Sequence, residues 1–127
     1  MDLTPGLVAT VDTIVSESDT ATALGSGDVD VLGTPAVVAL CEAAAVKAVS
    51  AALEAGRTSV GVHIDIEHLA PTPVGSSVTA RAELIEVDGR TLRFTVGASD
   101  RGGEIARGTH VRVVVDAAKF IDAARSR

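Results

Sequence analysis

The chain has 127 residues and a formal charge of −6, with eleven basic side chains scattered among seventeen acidic ones. That length fits a single domain, and nearly half of it is apolar, which excludes a disordered chain. The charge balance argues against phosphate-backbone binding, so no nucleic-acid partner is expected, and with no Trp or Tyr and only Phe94 and Phe120 a stacking surface is hard to assemble.

Cys41 is the sole cysteine, so no intrachain disulfide forms and a reducing compartment is the expectation. The first dozen residues, MDLTPGLVATVD, lack the basic and apolar blocks of a signal peptide. No run approaches ~20 apolar residues free of charge. The sequence therefore predicts a soluble, cytoplasmic protein with no membrane partner, folded as one domain over 1–127.

Taken in order, residues 7–16 are rich in β-branched side chains and predict a first strand. The polar, Gly-containing stretch 17–33 is either a functional lid or an irregular connection. Thr34-Pro35 then opens a helix, with Thr34 as N-cap and Gly56 as the expected C-terminal cap. Only Lys47, Ser50 and Glu54 give this helix a wet stripe, so it must be enclosed by other structure. Strict alternation predicts a strand over 60–69. Further strands follow over 77–87, 90–99 and 104–115, joined by Asp88-Gly89 and Gly102-Gly103 turns, and a short amphipathic helix runs from 116 to about 125. A curled, mostly antiparallel five-stranded sheet around a central helix satisfies that order: an α+β chain with the arrangement of the hot-dog fold. Small curled sheets pair edge to edge, which predicts a homodimer.

Two polar residues fall on apolar faces. Glu42 lies about 140° from Lys47 on the helical wheel, among Val38, Ala45, Val46 and Val49, where an isolated carboxylate costs several kcal/mol. His68 ends the face Val60, Val62, Ile64, Ile66, with Gly61, His63, Asp65 and Glu67 on the other side. An acid on the helix and an imidazole at the rim of the sheet could act together as acid and base. Thr34 adds a hydroxyl beside the free N–H groups of the helix start. Each has a simpler explanation: capping for Thr34, an interface or loop-facing carboxylate for Glu42, a satisfied core-edge histidine for His68. His63, Asp65 and Glu67 share a face and suggest a metal site, but alternating polar residues on a solvated strand explain them better, and no metal is expected. His110 reads as an ordinary residue on the polar side of the last strand.

The segments GTPAVVALCEAAA and TSVGVHIDIEHLAPTPVGSSV resemble the hot-dog thioesterases of the fluoroacetyl-CoA thioesterase family. In that family a Thr or Ser, a Glu and a His act together, separated by eight and then twenty-six positions, as Thr34, Glu42 and His68 are here. A glycine seven residues before the histidine lies beside the substrate carbonyl, a place held by Gly61. The resemblance implies hydrolysis of an acyl-CoA thioester by a homodimer without cofactor, with Thr34, Glu42 and His68 catalytic and Gly61 binding substrate. It leaves open whether Glu42 attacks the carbonyl or orients His68. The family's lid carries aromatic side chains, whereas DTATALGSGDVDVLG here has none, so fluoroacetyl selectivity is not implied. Competing readings are an acyl-CoA-binding module without catalysis and a dehydratase or isomerase acting on a CoA ester. Arg90, Arg93, Arg101 and Arg107 are available for CoA phosphates, with nothing to select among them.

Overall fold

A computed structural model describes residues 2–127. Strand β1 (Val8–Ile14) leads through a 3₁₀ turn (Glu17–Asp19) and a one-turn helix, α1 (Ala21–Leu24), to the central helix α2 (Thr34–Val49). Strands β2 (Arg57–His68), β3 (Ser77–Asp88), β4 (Thr91–Asp100) and β5 (Gly103–Asp116) follow, and α3 (Ala117–Arg125) ends the chain. All pairings are antiparallel, in the order β1-β3-β4-β5-β2. The five-stranded sheet and central helix are as the sequence predicts. Both β1 and β2 are edges, and the connection from one to the other is what carries α2 across the sheet.

The inward faces of β3 and β4 are Val78, Ala80, Ala82, Leu84 and Leu92, Phe94, Val96, Ala98, all buried. They meet Val37, Cys41, Ala44, Ala45 and Val49 of α2. Alanines on both surfaces let helix and sheet approach closely, while Leu84, Leu92 and Phe94 each contribute about 1.5–3 kcal/mol by burial. Gly89, at φ 58°, takes the first position of the two-residue β3–β4 turn, where a side chain would be strained.

Four local expectations change. First, α2 is capped by Gly33 rather than Thr34, and it ends at Val49, passing through a 3₁₀ turn (Ser50–Ala52) before Gly56. Second, α2 is buried along one face only; Pro35, Ala39, Ala43 and Val46 are open in the single chain. Third, β2 does not alternate strictly. A bulge between Gly61 and His63 leaves Val62 58% exposed and reverses the phase, so Gly61 pairs with Arg112 on the helix side. Fourth, the stretch 17–33 is ordered as a strap: Ala21 N–H donates to Val31 O, Gly33 N–H to Asp19 O and Leu32 N–H to Thr72 O.

Candidate active site

Thr34 is the first residue of α2, and its hydroxyl makes no cap bond. It lies 2.8 Å from His68 Nδ1 instead. Capping therefore does not account for Thr34. The start of α2 is fixed from the strap side, because a Cβ on Gly33 would meet the Ala21 backbone at 3.0 Å. His68 is the last residue of β2, opposite Ala106. The chain beyond it is tied down: Leu69 and Ala70 N–H both donate to Ile105 O, and the buried Thr72 hydroxyl donates to Asp100 at 2.7 Å. His68 Nε2 is buried and has no hydrogen-bond partner among the described residues. A buried polar atom without a partner is costly, so this nitrogen is the open hydrogen-bonding position of the Thr34–His68 pair. Beside it a hollow of about 230 Å³ is lined by Val31, His68, Leu69, Ala70 and Pro71.

Glu42 lies two turns along α2, about 12 Å further by helical rise. Its carboxylate is 40% exposed, less enclosed than the wheel predicts, and faces a second hollow of about 210 Å³ with Gly61, Val62, His63, Ile64 and His110. Oε2 is 3.6 Å from Arg112 Nη1. A Cβ on Gly61 would sit 2.7 Å from that same oxygen, so the glycine is required for the carboxylate to lie where it does. Thr34 and His68 are thus brought together within one chain, and Glu42 and Gly61 are brought together, but the two pairs occupy separate hollows.

Two further residues build the Glu42 hollow, and the sequence did not reveal them. Arg112 is buried; its Nε donates to Ser59 Oγ and its Nη2 to Ser59 O, each at 2.8 Å. His110 is 1% exposed, on the helix side of β5 rather than the polar side. Its Nδ1 is 2.7 Å from His63 O and its Nε2 3.1 Å from Arg112 Nη1. Their signal was masked because Val111 and Val113 on the outer face make β5 read equally well in either phase. Cys41 is no rival nucleophile: burial, and secondarily the Glu42 charge, push its thiol up to about 11. His63, Asp65 and Glu67 are exposed on the outer face, opposite Val111, Thr109 and Arg107, and no group of three metal-ligating side chains converges among the described residues. Arg93 and Arg107 are engaged by Glu86 and Glu104, while Arg90 and Arg101 sit in hairpin turns.

Burial holds the His110 imidazole below the ordinary histidine value of 6.5, opposed by the bond to His63 O and reinforced by the Arg112 charge. As pH falls from that value, the unfolded chain takes up the proton before the folded one does. The stabilising contribution is therefore complete above about 6.5 and lost as pH drops through the lower, folded-state value. Thermal unfolding at pH 7 and pH 5.5 should show a drop in midpoint that shrinks in His110→Gln; equal drops in both proteins would refute the assignment.

Residues 15–118 match the family described as fluoroacetyl-CoA-specific thioesterase. The fluoroacetyl-CoA thioesterase of Streptantibioticus cattleyicolor is 44% identical over 91 residues, which span 72% of this chain and 66% of that protein. A solved structure of the fluoroacetyl-CoA thioesterase superposes with a TM-score of 0.94 at 35% identity, covering 100% of this chain and 98% of the other. Other structures of that enzyme hold fluoroacetate and CoA in a phenylalanine-to-alanine variant, and acetyl-CoA in a threonine-to-serine variant. A hot-dog-like protein from Thermanaerovibrio acidaminovorans aligns at a TM-score of 0.87 and 28% identity, over 97% of this chain and 91% of its own. Sequence and fold agree: the chain belongs to the fluoroacetyl-CoA-specific thioesterase family, hot-dog enzymes that hydrolyse an acyl-CoA thioester.

Proposed function

We propose that this chain hydrolyses short acyl-CoA thioesters as a homodimer, each site combining Thr34 and His68 of one copy with Glu42 and Gly61 of the other. The unpartnered, buried Nε2 of His68 is the observation that carries this reading. If Thr34 O–H donates to Nδ1, the ring proton sits on Nε2, and that N–H is free to bind the thioester oxygen as negative charge develops there. Glu42 takes a proton from water as the water oxygen adds to the carbonyl carbon. The C–S bond then breaks as the protonated Glu42 returns that proton to the CoA sulfur, which leaves as a thiol and restores the carboxylate.

Support for the second copy comes from surfaces a single chain leaves open. Strand β2 is a sheet edge along its whole length, Val62 projects from its bulge, and the outer face of α2 is apolar. A two-fold pairing of β2 centred on Asp65 sets His68 opposite the other copy's Gly61–Val62 bulge. Glu42 follows Gly61 across the interface. No cofactor is required, since CoA belongs to the substrate and protein groups supply both proton transfers.

The acyl group is inferred from Val31, Leu69, Ala70 and Pro71, a small aliphatic lining in place of an aromatic lid. Acetyl-, butyryl-, isobutyryl-, benzoyl- and fluoroacetyl-CoA, each followed by release of free thiol, test it. Short aliphatic esters should turn over fastest, with fluoroacetyl- and acetyl-CoA within about tenfold, a difference under about 1.4 kcal/mol. Binding without thiol release would make the chain a carrier module, and hydration of an enoyl-CoA with the thioester intact would make it a dehydratase.

A further inference from the structure

The hydrogen bonds around His110 determine its protonation without reference to any titration. A carbonyl only accepts, so the ring nitrogen 2.7 Å from His63 O must carry a proton. A guanidinium only donates, so the nitrogen 3.1 Å from Arg112 Nη1 must be bare. His110 is thus a neutral imidazole with one tautomer, its ring tilted 30° against Phe94 at a centroid distance of 6.0 Å. Arg112 Nη1 lies between that imidazole and the Glu42 carboxylate, while Ser59 holds the other edge of the guanidinium. The charged or titratable neighbours of His110 are Arg112 on its own strand, Glu42 on α2 and His63 on β2; β4 presents only the Phe94 ring.

We infer that His110 is a positioning residue for thioester hydrolysis: its bare Nε2 fixes the Arg112 guanidinium, which in turn aims the Glu42 carboxylate across Gly61. This rests on Glu42 being the catalytic carboxylate. Ser59 anchors Nε and Nη2 only, so without His110 the Nη1 corner has no fixed partner besides the half-exposed Glu42. Protonation of His110 would face two donors and two like charges at 3.1 Å and push Arg112 away. Burial already disfavours that state.

The test measures acetyl-CoA hydrolysis in His110→Phe, His110→Asn and His110→Gln, each in the native background and with Glu42→Gln. Phenylalanine keeps the ring volume but has no acceptor, and asparagine keeps the bond to His63 O with a side chain too short to bring its amide oxygen to the Nε2 position facing Arg112. Both should lower kcat on the order of 100-fold with KM changed less than about threefold, as expected of a misplaced reacting group. Glutamine offers an amide oxygen to Arg112 and should restore kcat to within about threefold, with an acid limb extending to lower pH because the amide does not titrate. In the Glu42→Gln background the phenylalanine and asparagine changes should cost nothing further. Native kcat in His110→Asn overturns the role of His110, as does an equal loss in both backgrounds. Native kcat in Glu42→Gln alone removes the carboxylate from the reaction, and the positioning role with it. Melting curves keep the Asn and Gln variants interpretable if the Phe variant fails to fold.

Discussion

Mixing His68→Ala chains with Glu42→Gln chains should restore about a quarter of native turnover, although each variant alone loses on the order of 1,000-fold. The reason lies in the separation of the two hollows. Thr34 and His68 share a 2.8 Å bond, Glu42 and Gly61 lie together further along α2, and nothing within one chain joins them. In a mixed dimer one site receives His68 from the Glu42→Gln chain and Glu42 from the His68→Ala chain, and is complete. The other site lacks both. Random association makes half the dimers mixed, each with one site of two intact, which gives the quarter. Mixed dimers purified through two different tags should reach about half of native activity per dimer by the same count. Inactive mixed dimers of confirmed composition would place the whole site within one chain and sink the shared arrangement.

The size of the single losses follows from what each residue supplies. Among the described residues His68 Nε2 is the one buried side-chain N/O atom without a partner, so removing His68 removes the group left for the substrate, and its truncation also leaves the Thr34 hydroxyl without its partner. Glu42→Gln keeps shape and the Gly61 contact but loses the charge that faces Arg112 and the ability to take a proton. Neither residue is part of the buried hydrophobic core, so both variants should remain folded dimers by sedimentation.

What the sequence disclosed follows the physics of each position. Glu42 and His68 were legible because a charged or titratable group interrupts an apolar period, and that interruption survives any error of one or two residues in element ends. Thr34 was ambiguous because Gly33 and Thr34 are both acceptable N-caps; in the fold Gly33 takes the cap and frees the hydroxyl for His68. Gly61 was assigned to the wrong face because a bulge inserts a residue without altering composition, and the V-G-V-H run alternates plausibly in either phase. His110 and Arg112 were hidden by the valines between and after them. The enclosure expected of α2 was read from its composition, which reports how much apolar surface must be covered but not by which chain.

Gly61 gives the sharpest separation of activity from stability. A Cβ there would lie 2.7 Å from Glu42 Oε2, 3.2 Å from His110 Cε1 and 3.4 Å from Arg112 Nη1. Of these three neighbours only the Glu42 carboxylate can yield: it is half-exposed at the end of a flexible side chain, whereas His110 and Arg112 are buried and bonded on two sides or more. Gly61→Ala is therefore relieved by Glu42 swinging outward, away from Arg112 and from the carbonyl carbon it must serve. Fold stability should fall by no more than about 1 kcal/mol, since the moved group was wet already and its ion pair contributes little. Turnover should fall on the order of 100-fold, because a displacement near 1 Å takes a reacting group out of line. Gly61 has no positive φ, so backbone strain adds nothing to either number. Acetyl-CoA kinetics and a thermal melt on the same sample decide it: a large loss of stability with proportionate loss of activity would mean that Gly61 serves packing, and native kcat would mean that Glu42 does not act from the position it holds over this strand.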